Sequence, residues 1–264
     1  MTMRQRDRST GAVLLLALAV ALLVEKPAAA ADSVDIALVL AADVSRSVDD
    51  DEFRLQREGY ADAFKSPQVL RAIQSGPHGA IAVTFIEFAG ADQLNTVAEW
   101  TVIRDGEGAA VFATRLLTPP RSFAGFTSIS AAIDYSMKRF GEGGIKAERR
   151  IIDISGDGTN NAGRPVTQAR DDALAQGVTI NGLTILNLHP NPGFFAHTQP
   201  AGGLPNYYRE NVIGGPAAFL VEIEDYKSFG QAVISKLIGE IASLPAGRAQ
   251  SPRAHEEERI ATRY

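Results

Sequence analysis

The chain has 264 residues, a formal charge of −5, 45% hydrophobic and 22% charged side chains, and no cysteine. That length accommodates one globular domain of roughly 200 residues with a buried core, and the acidic balance excludes a general nucleic-acid binder, which needs a basic face. Without cysteine there is neither a disulfide framework nor a thiol to carry a lipid, so packing alone must hold the domain together.

At the N-terminus Arg4, Arg6 and Arg8 precede an apolar run from Ala12 to Val24, followed by Glu25, Lys26, Pro27 and several alanines. A basic start, a short apolar stretch and a small-residue exit read as a cleavable secretory signal, cut near Ala30 or Ala31. The run is short for a bilayer-spanning helix, which needs about 20 apolar residues, and an uncleaved anchor is the lesser alternative. The expected organisation is a leader over 1–31, a domain over 32–244 and a disordered charged tail over 245–264 that contains Glu256, Glu257 and Glu258. The expected destination is the periplasm or the cell exterior, with nothing embedded in a membrane once the leader is removed.

The predicted elements then follow in order. Val34 to Ala41 is almost continuously apolar, as in a central strand covered on both faces. Polar Asp43 to Asp51 leads into a helix carrying Phe53, Tyr60, Ala61 and Phe64 on one face, ended by Pro67 and by Gly76-Pro77. Ala80 to Phe88 and Leu94 to Ile103 read as strands whose short link makes them antiparallel. Ala109 to Leu117 is a short helix stopped by Pro119 and Pro120. Thr127 starts another, with Ile129, Ile133, Met137 and Phe140 on one face and the Gly141–Gly144 cluster at its end. Arg150 to Ser155 is a fourth strand, Pro165 opens a helix to Gln176, Val178 to Leu186 is a fifth strand and Ala217 to Ile223 a sixth. A helix from Tyr226 to Ser243 closes the series. The alternation implies an α/β, doubly wound, mostly parallel six-stranded sheet with one antiparallel edge strand and helices on both faces.

In open sheets of this kind ligands collect at the carboxyl ends of the parallel strands. Three segments bring oxygen ligands there: Asp43-Val44-Ser45-Arg46-Ser47 after the first strand, Thr127 ahead of its helix, and Asp157 between two glycines after the fourth strand. Two carboxylates and three hydroxyls are hard donors, suited to Mg²⁺, Mn²⁺ or Ca²⁺ rather than to zinc or copper. With few charged ligands, a cation held there keeps enough positive character to seek an anionic oxygen from outside. The plainer alternative is that Ser47, with Asp50 three positions on, is only a helix N-cap.

In these residues the chain resembles the von Willebrand factor A family, the integrin I-domain fold, and within it an uncharacterised group of exported bacterial proteins. The family's metal-ion-dependent adhesion site has the pattern Asp-x-Ser-x-Ser, a distant Thr and a distant Asp. Asp43, Ser45, Ser47, Thr127 and Asp157 fall on those five places. The resemblance covers about Val34 to Ser243. It implies that the serines and the threonine approach the metal, that the aspartates act largely through water, and that a partner's Asp or Glu completes the coordination. Arg46 stands where the family commonly has a small residue, and Gly156 where Thr or Ser is frequent, which removes a hydroxyl from beside the site.

Other residues carry weaker expectations. His189 and His197, in the Pro/Gly-rich stretch from Leu188 to Pro205, make a poor zinc site at a spacing of eight without a nearby carboxylate. The aromatics Phe194, Phe195, Tyr207 and Tyr208 are expected to pack on the domain, the alternative being that this stretch forms part of a recognition surface at the same edge. Glu87 and Asp153, inside apolar strands, are expected to be structurally paired or partly exposed. Asp134, Asp171 and Asp172 are expected on solvated faces, and Arg149 and Arg150 as solubilisers at a strand edge. The function expected is a cation-dependent protein-binding module rather than an enzyme. The alternatives are a metal-independent assembly module on the same fold, and a Mg²⁺-dependent phosphoryl-transfer hydrolase using Asp43, for which no supporting Lys or His motif is visible.

Overall fold

The computed structural model describes residues 33–142, 144–186 and 200–242. The expected leader, His189 and His197, Phe194 and Phe195, and the charged tail lie outside the described residues. Among the described residues six strands form one sheet: β1 (Ser33–Asp43), β2 (Ile81–Phe88), β3 (Leu94–Ile103), β4 (Lys146–Gly156), β5 (Val178–Ile185) and β6 (Leu220–Ile223). Their order is β3-β2-β1-β4-β5-β6. All neighbours run parallel except β2 and β3, which form the antiparallel edge hairpin. The fold class expected from the sequence is the one observed.

The helices are α1 (Asp50–Lys65), α2 (Pro67–Gln74), α3 (Gly106–Leu117), α4 (Ile129–Glu142), α5 (Val166–Ala175), α6 (Leu204–Asn211) and α7 (Phe229–Ala242). Strand β1 shows how the two layers are sorted. Ile36, Leu38, Leu40 and Ala42 face a core shared with Tyr60 and Phe64 of α1, Phe112 of α3 and Phe229 and Leu237 of α7. Val39 and Ala41 face the other core, with Ile133 of α4, Ala169 of α5 and Tyr208 of α6. The two-residue period of a strand sends successive side chains to opposite faces, so a doubly covered strand must be apolar throughout.

Several sequence expectations need correction. Helix α1 ends at Lys65, just before Pro67 as expected, but Pro67 also opens α2, where its missing N–H is harmless and Ser66 Oγ caps the Val69 N–H at 3.2 Å. Helix α6 was not expected; only eight residues long and preceded by Gly202 and Gly203 at positive φ, it reads locally as loop. Strand β6 begins at Leu220 rather than Ala217, because Gly215 (φ 95°) and Ala217 (φ 57°) turn the chain before it. A 3₁₀ turn over Tyr226–Ser228 precedes α7. The cap of α1 is Asp49, not Ser47: Asp49 accepts from Glu52 N–H and Glu52 accepts from Asp49 N–H, both at 2.8 Å, a reciprocal capping box.

The charged residues inside the strands are paired, not partly exposed. Glu87 is fully buried, with Arg57 Nη2 2.5 Å away and the Ser122 N–H donating to it at 2.9 Å. Asp153 lies beneath α7, 2.7 Å from Lys236 Nζ. Arg149 and Arg150 do more than solubilise an edge. Arg149 donates to the carbonyls of Glu240 and Ile241 in the last turn of α7, and Arg150 to that of Gln176 at the end of α5, where carbonyls have no helical partner. Asp134 and Asp172 are on exposed faces as expected, and both pair with Arg164 at 2.6 Å.

Candidate metal centre

The strand order reverses direction between β1 and β4, since the chain leaves β1 toward β2 on one side and leaves β4 toward β5 on the other. Adjacent parallel strands whose connections depart in opposite directions open a crevice at their carboxyl ends. Asp43 is the last residue of β1 and Asp157 directly follows β4, so both carboxylates stand at that crevice and both are fully buried.

The loop after β1 is held from several directions. The Asp43 Oδ1 accepts from Ser45 N–H at 2.8 Å, Val44 N–H bonds to Phe88 O at 2.9 Å, and Val48 N–H returns to Ser45 O at 3.1 Å. Arg121, from the loop between α3 and α4, donates to the carbonyls of Val44 (2.8 Å) and Ser45 (2.7 Å). The resulting turn aims Ser45 Oγ and Ser47 Oγ at each other, 3.1 Å apart, and Ser47 Oγ donates to Asp157 Oδ1 at 2.7 Å. That contact joins positions 110 residues apart in the chain.

Thr127 is placed by the loop that follows β4. Its N–H donates to Asn161 Oδ1 at 2.8 Å and its carbonyl accepts from the N–H groups of Asn161 (2.9 Å) and Ala162 (3.2 Å). Its Oγ1 lies 3.5 Å from where a Cβ on Gly158 would be, beside Asp157. All five residues singled out in the sequence therefore gather at the β1/β4 edge, Ser45 and Thr127 nearly buried and Ser47 half-buried. The residues that sequence reasoning missed are those that hold them: Arg121 on the carbonyls of Val44 and Ser45, Gln56 on that of Asp43, and Asn161 on Thr127. Only Asn161 carried a local sign, standing four positions after Asp157.

Electrostatically the site is short of positive charge. Burial, and next the facing Asp157, push the Asp43 carboxyl up to about 8, against the hydrogen bonds from Ser45 and the attraction of Arg121. The Oδ2 of Asp43 is buried without a hydrogen-bond partner. Two buried carboxylates with one oxygen unsatisfied, beside three hydroxyls, form a hard-oxygen set that a divalent cation fits and a proton satisfies poorly. Among the described residues no group of three or more His, Cys, Asp or Glu comes together as a metal-holding cluster.

The two departures from the resembled pattern have distinct outcomes. Arg46 is exposed and its guanidinium lies 5.2 Å from the Phe126 ring centre, a stacked pair at the rim; Phe126 itself is 61% exposed. Gly156 leaves no room for a hydroxyl-bearing side chain. A Cβ there would meet the Tyr208 hydroxyl at 2.9 Å and Asp43 Cβ and Oδ2 at 3.1 Å.

The sequence matches, over residues 33–245, the family described as "Protein of unknown function (DUF1194)". No curated protein matches it by sequence. Among solved structures, proximal thread matrix protein 1 from the mussel byssus aligns at 16% identity with a TM-score of 0.57, over 80% of this chain and 49% of that one. A second structure of that protein, described as having a zinc-occupied MIDAS motif, aligns at 13% identity and 0.53, over 80% and 46%. A von Willebrand factor type A protein from Catenulispora acidiphila aligns at 12% identity and 0.54, over 78% and 42%. The chain thus spans about half the length of the mussel structures it matches. At these identities the likeness establishes the fold, that of the von Willebrand factor A domain.

Proposed function

The chain belongs to the DUF1194 family, and we propose that it is an exported, divalent-cation-dependent protein-binding module. In this reading Asp43, Ser45, Ser47, Thr127 and Asp157 hold Mg²⁺ or Mn²⁺, with Ca²⁺ as the alternative ion, and residues 1–31 are the leader that directs export. The observation that carries it is the 2.7 Å contact of Ser47 Oγ with Asp157 Oδ1, which brings together ligand types 110 residues apart in the sequence. A bound cation would supply a Lewis-acid centre with a coordination position left for an acidic oxygen from outside.

The surrounding side chains suit a protein partner presenting Asp or Glu. Ser47 is the half-buried edge of the set, and the Arg46–Phe126 pair beside it offers a cation and an exposed ring to a carboxylate flanked by an apolar residue. Binding is favoured over phosphoryl transfer because Asp43 is fully buried and its Oδ1 is committed to Ser45 N–H, which leaves no exposed nucleophile. The zinc described for one structural relative agrees with a divalent ion on this fold.

Thermal unfolding of the protein in EDTA, Mg²⁺, Mn²⁺ or Ca²⁺, beside Asp43→Ala, tests the proposal. A ligand selective for the native state raises its melting temperature by linkage. A cation-dependent rise that disappears in Asp43→Ala is expected. No rise at millimolar cation would overturn the reading in favour of a metal-independent module.

A further inference from the structure

Helix α6 delivers a side chain to the edge of the sheet that neither the motif nor the comparisons assign. Tyr208 is fully buried in the core beneath α4, α5 and α6. Its ring lies over Gly182 of β5, where a Cβ would come within 3.0 Å of Tyr208 Cδ1. Its hydroxyl lies over Gly156 of β4, where a Cβ would come within 2.9 Å. The two glycines sit on neighbouring strands, Gly182 opposite Ile154 and Gly156 opposite Thr184, and two-residue alternation puts both on the same face. Together they form a slot that lays the tyrosine across β5 and β4 toward Asp43.

Packing alone does not account for the phenol. Its hydroxyl is buried with no hydrogen-bond partner, which is costly, and phenylalanine would fill the same slot without that cost. The partnerless Oδ2 of Asp43 lies 3.1 Å from the same point, the missing Cβ of Gly156, from which the Tyr208 hydroxyl is 2.9 Å. Two unsatisfied groups, one a donor and the other an acceptor, thus converge on one place beside the candidate cation site.

We infer that Tyr208 is a positioning residue of that site: its hydroxyl serves the outer oxygen of Asp43 when a cation is bound, supplying from α6 the hydroxyl that Gly156 does not carry. This rests on the proposed reading of Asp43 as part of a cation site. A donor to a charged carboxylate is among the stronger hydrogen bonds, and its contribution falls on the cation-loaded state. The phenol then acts through Asp43 and need not touch the ion.

The test compares wild type with Tyr208→Phe in two measurements, melting temperature in EDTA and Mg²⁺ or Mn²⁺ affinity by calorimetry. The expected result is an unchanged or higher melting temperature in EDTA, because an unsatisfied hydroxyl has gone, together with about tenfold weaker cation binding. Tyr208→Leu, which removes the ring's packing as well, is expected to lower the melting temperature in both conditions. If Tyr208→Phe binds cation as tightly as wild type, or loses equal stability with and without cation, the inference is overturned while the cation site stands. If wild type binds neither cation, the cation site itself fails and this inference with it.

Discussion

Lys236 offers a sharp test of how the last helix is held. It is 1% exposed, with Nζ 2.7 Å from Asp153 Oδ1 and 2.5 Å from Glu240 Oε1, and those carboxylates are 3% and 0% exposed. Asn181 Nδ2 donates to Glu240 at 2.8 Å, which ties the cluster to β5. Lys236→Met keeps the aliphatic stem and removes the charge, leaving two carboxylates buried between β4 and α7. Breaking a buried pair in this way costs about 3–5 kcal/mol. For a domain of this size that lowers the melting temperature by roughly 10 °C. The assay is circular dichroism with urea and heat at pH 7.5. Burial, and next Glu240, already raise the Asp153 carboxyl to about 7, while Lys236 lowers it. Without the lysine the folded protein binds protons still more tightly than the unfolded chain, so the variant regains stability as pH falls from 7.5 to 5.5. Adding Asp153→Asn restores part of the loss, because one fewer charge remains buried. A deficit under about 1 kcal/mol at pH 7.5, against the 3–5 expected, or one that does not shrink on acidification, would refute the reasoning.

In wild type the same carboxyl gives a pH signature. Its folded value lies above its unfolded one, so its contribution to stability declines as pH rises from about 4 to about 7, by at most ~1.4 kcal/mol per unit. Urea midpoints in EDTA across that range are therefore expected to depend on pH differently in Asp153→Asn, with this downward component gone; superimposable profiles would exclude it. Asp49→Ala removes the α1 capping box and is expected to cost about 1 kcal/mol in urea unfolding, with the cation-induced stabilisation retained. Gly182→Ala puts a methyl 2.7 Å from Leu220 Cδ1 and 3.0 Å from Tyr208 Cδ1, and is expected to cost about 1–3 kcal/mol by overpacking and to weaken cation binding through the displaced tyrosine. Full stability in that variant would show the slot to be looser than its geometry.

The strands were legible because their physics is local. An unbroken apolar run such as Val34 to Ala41 has no soluble alternative to burial on both faces, and the short link at Gly90–Gln93 leaves β2 and β3 no pairing but antiparallel. The elements misread were those whose local composition points the wrong way. Pro67 marks the end of α1 locally, but only the Ser66 cap shows that a second helix starts there; α6 is a short run behind two glycines whose burial depends on the sheet beneath it.

Residue type and position after a strand were enough to read the doubly wound topology and to single out Asp43, Ser45, Ser47, Thr127 and Asp157 as hard-oxygen donors. Tertiary structure decided what surrounds them. The clamp of Arg121 on two carbonyls, the hold of Asn161 on Thr127, the Lys236–Asp153–Glu240 cluster and the approach of Tyr208 over Gly156 and Gly182 join side chains from separate elements. No periodicity records such contacts: a side chain's partner across the sheet is set by register and strand order, and these exist only once the chain has folded.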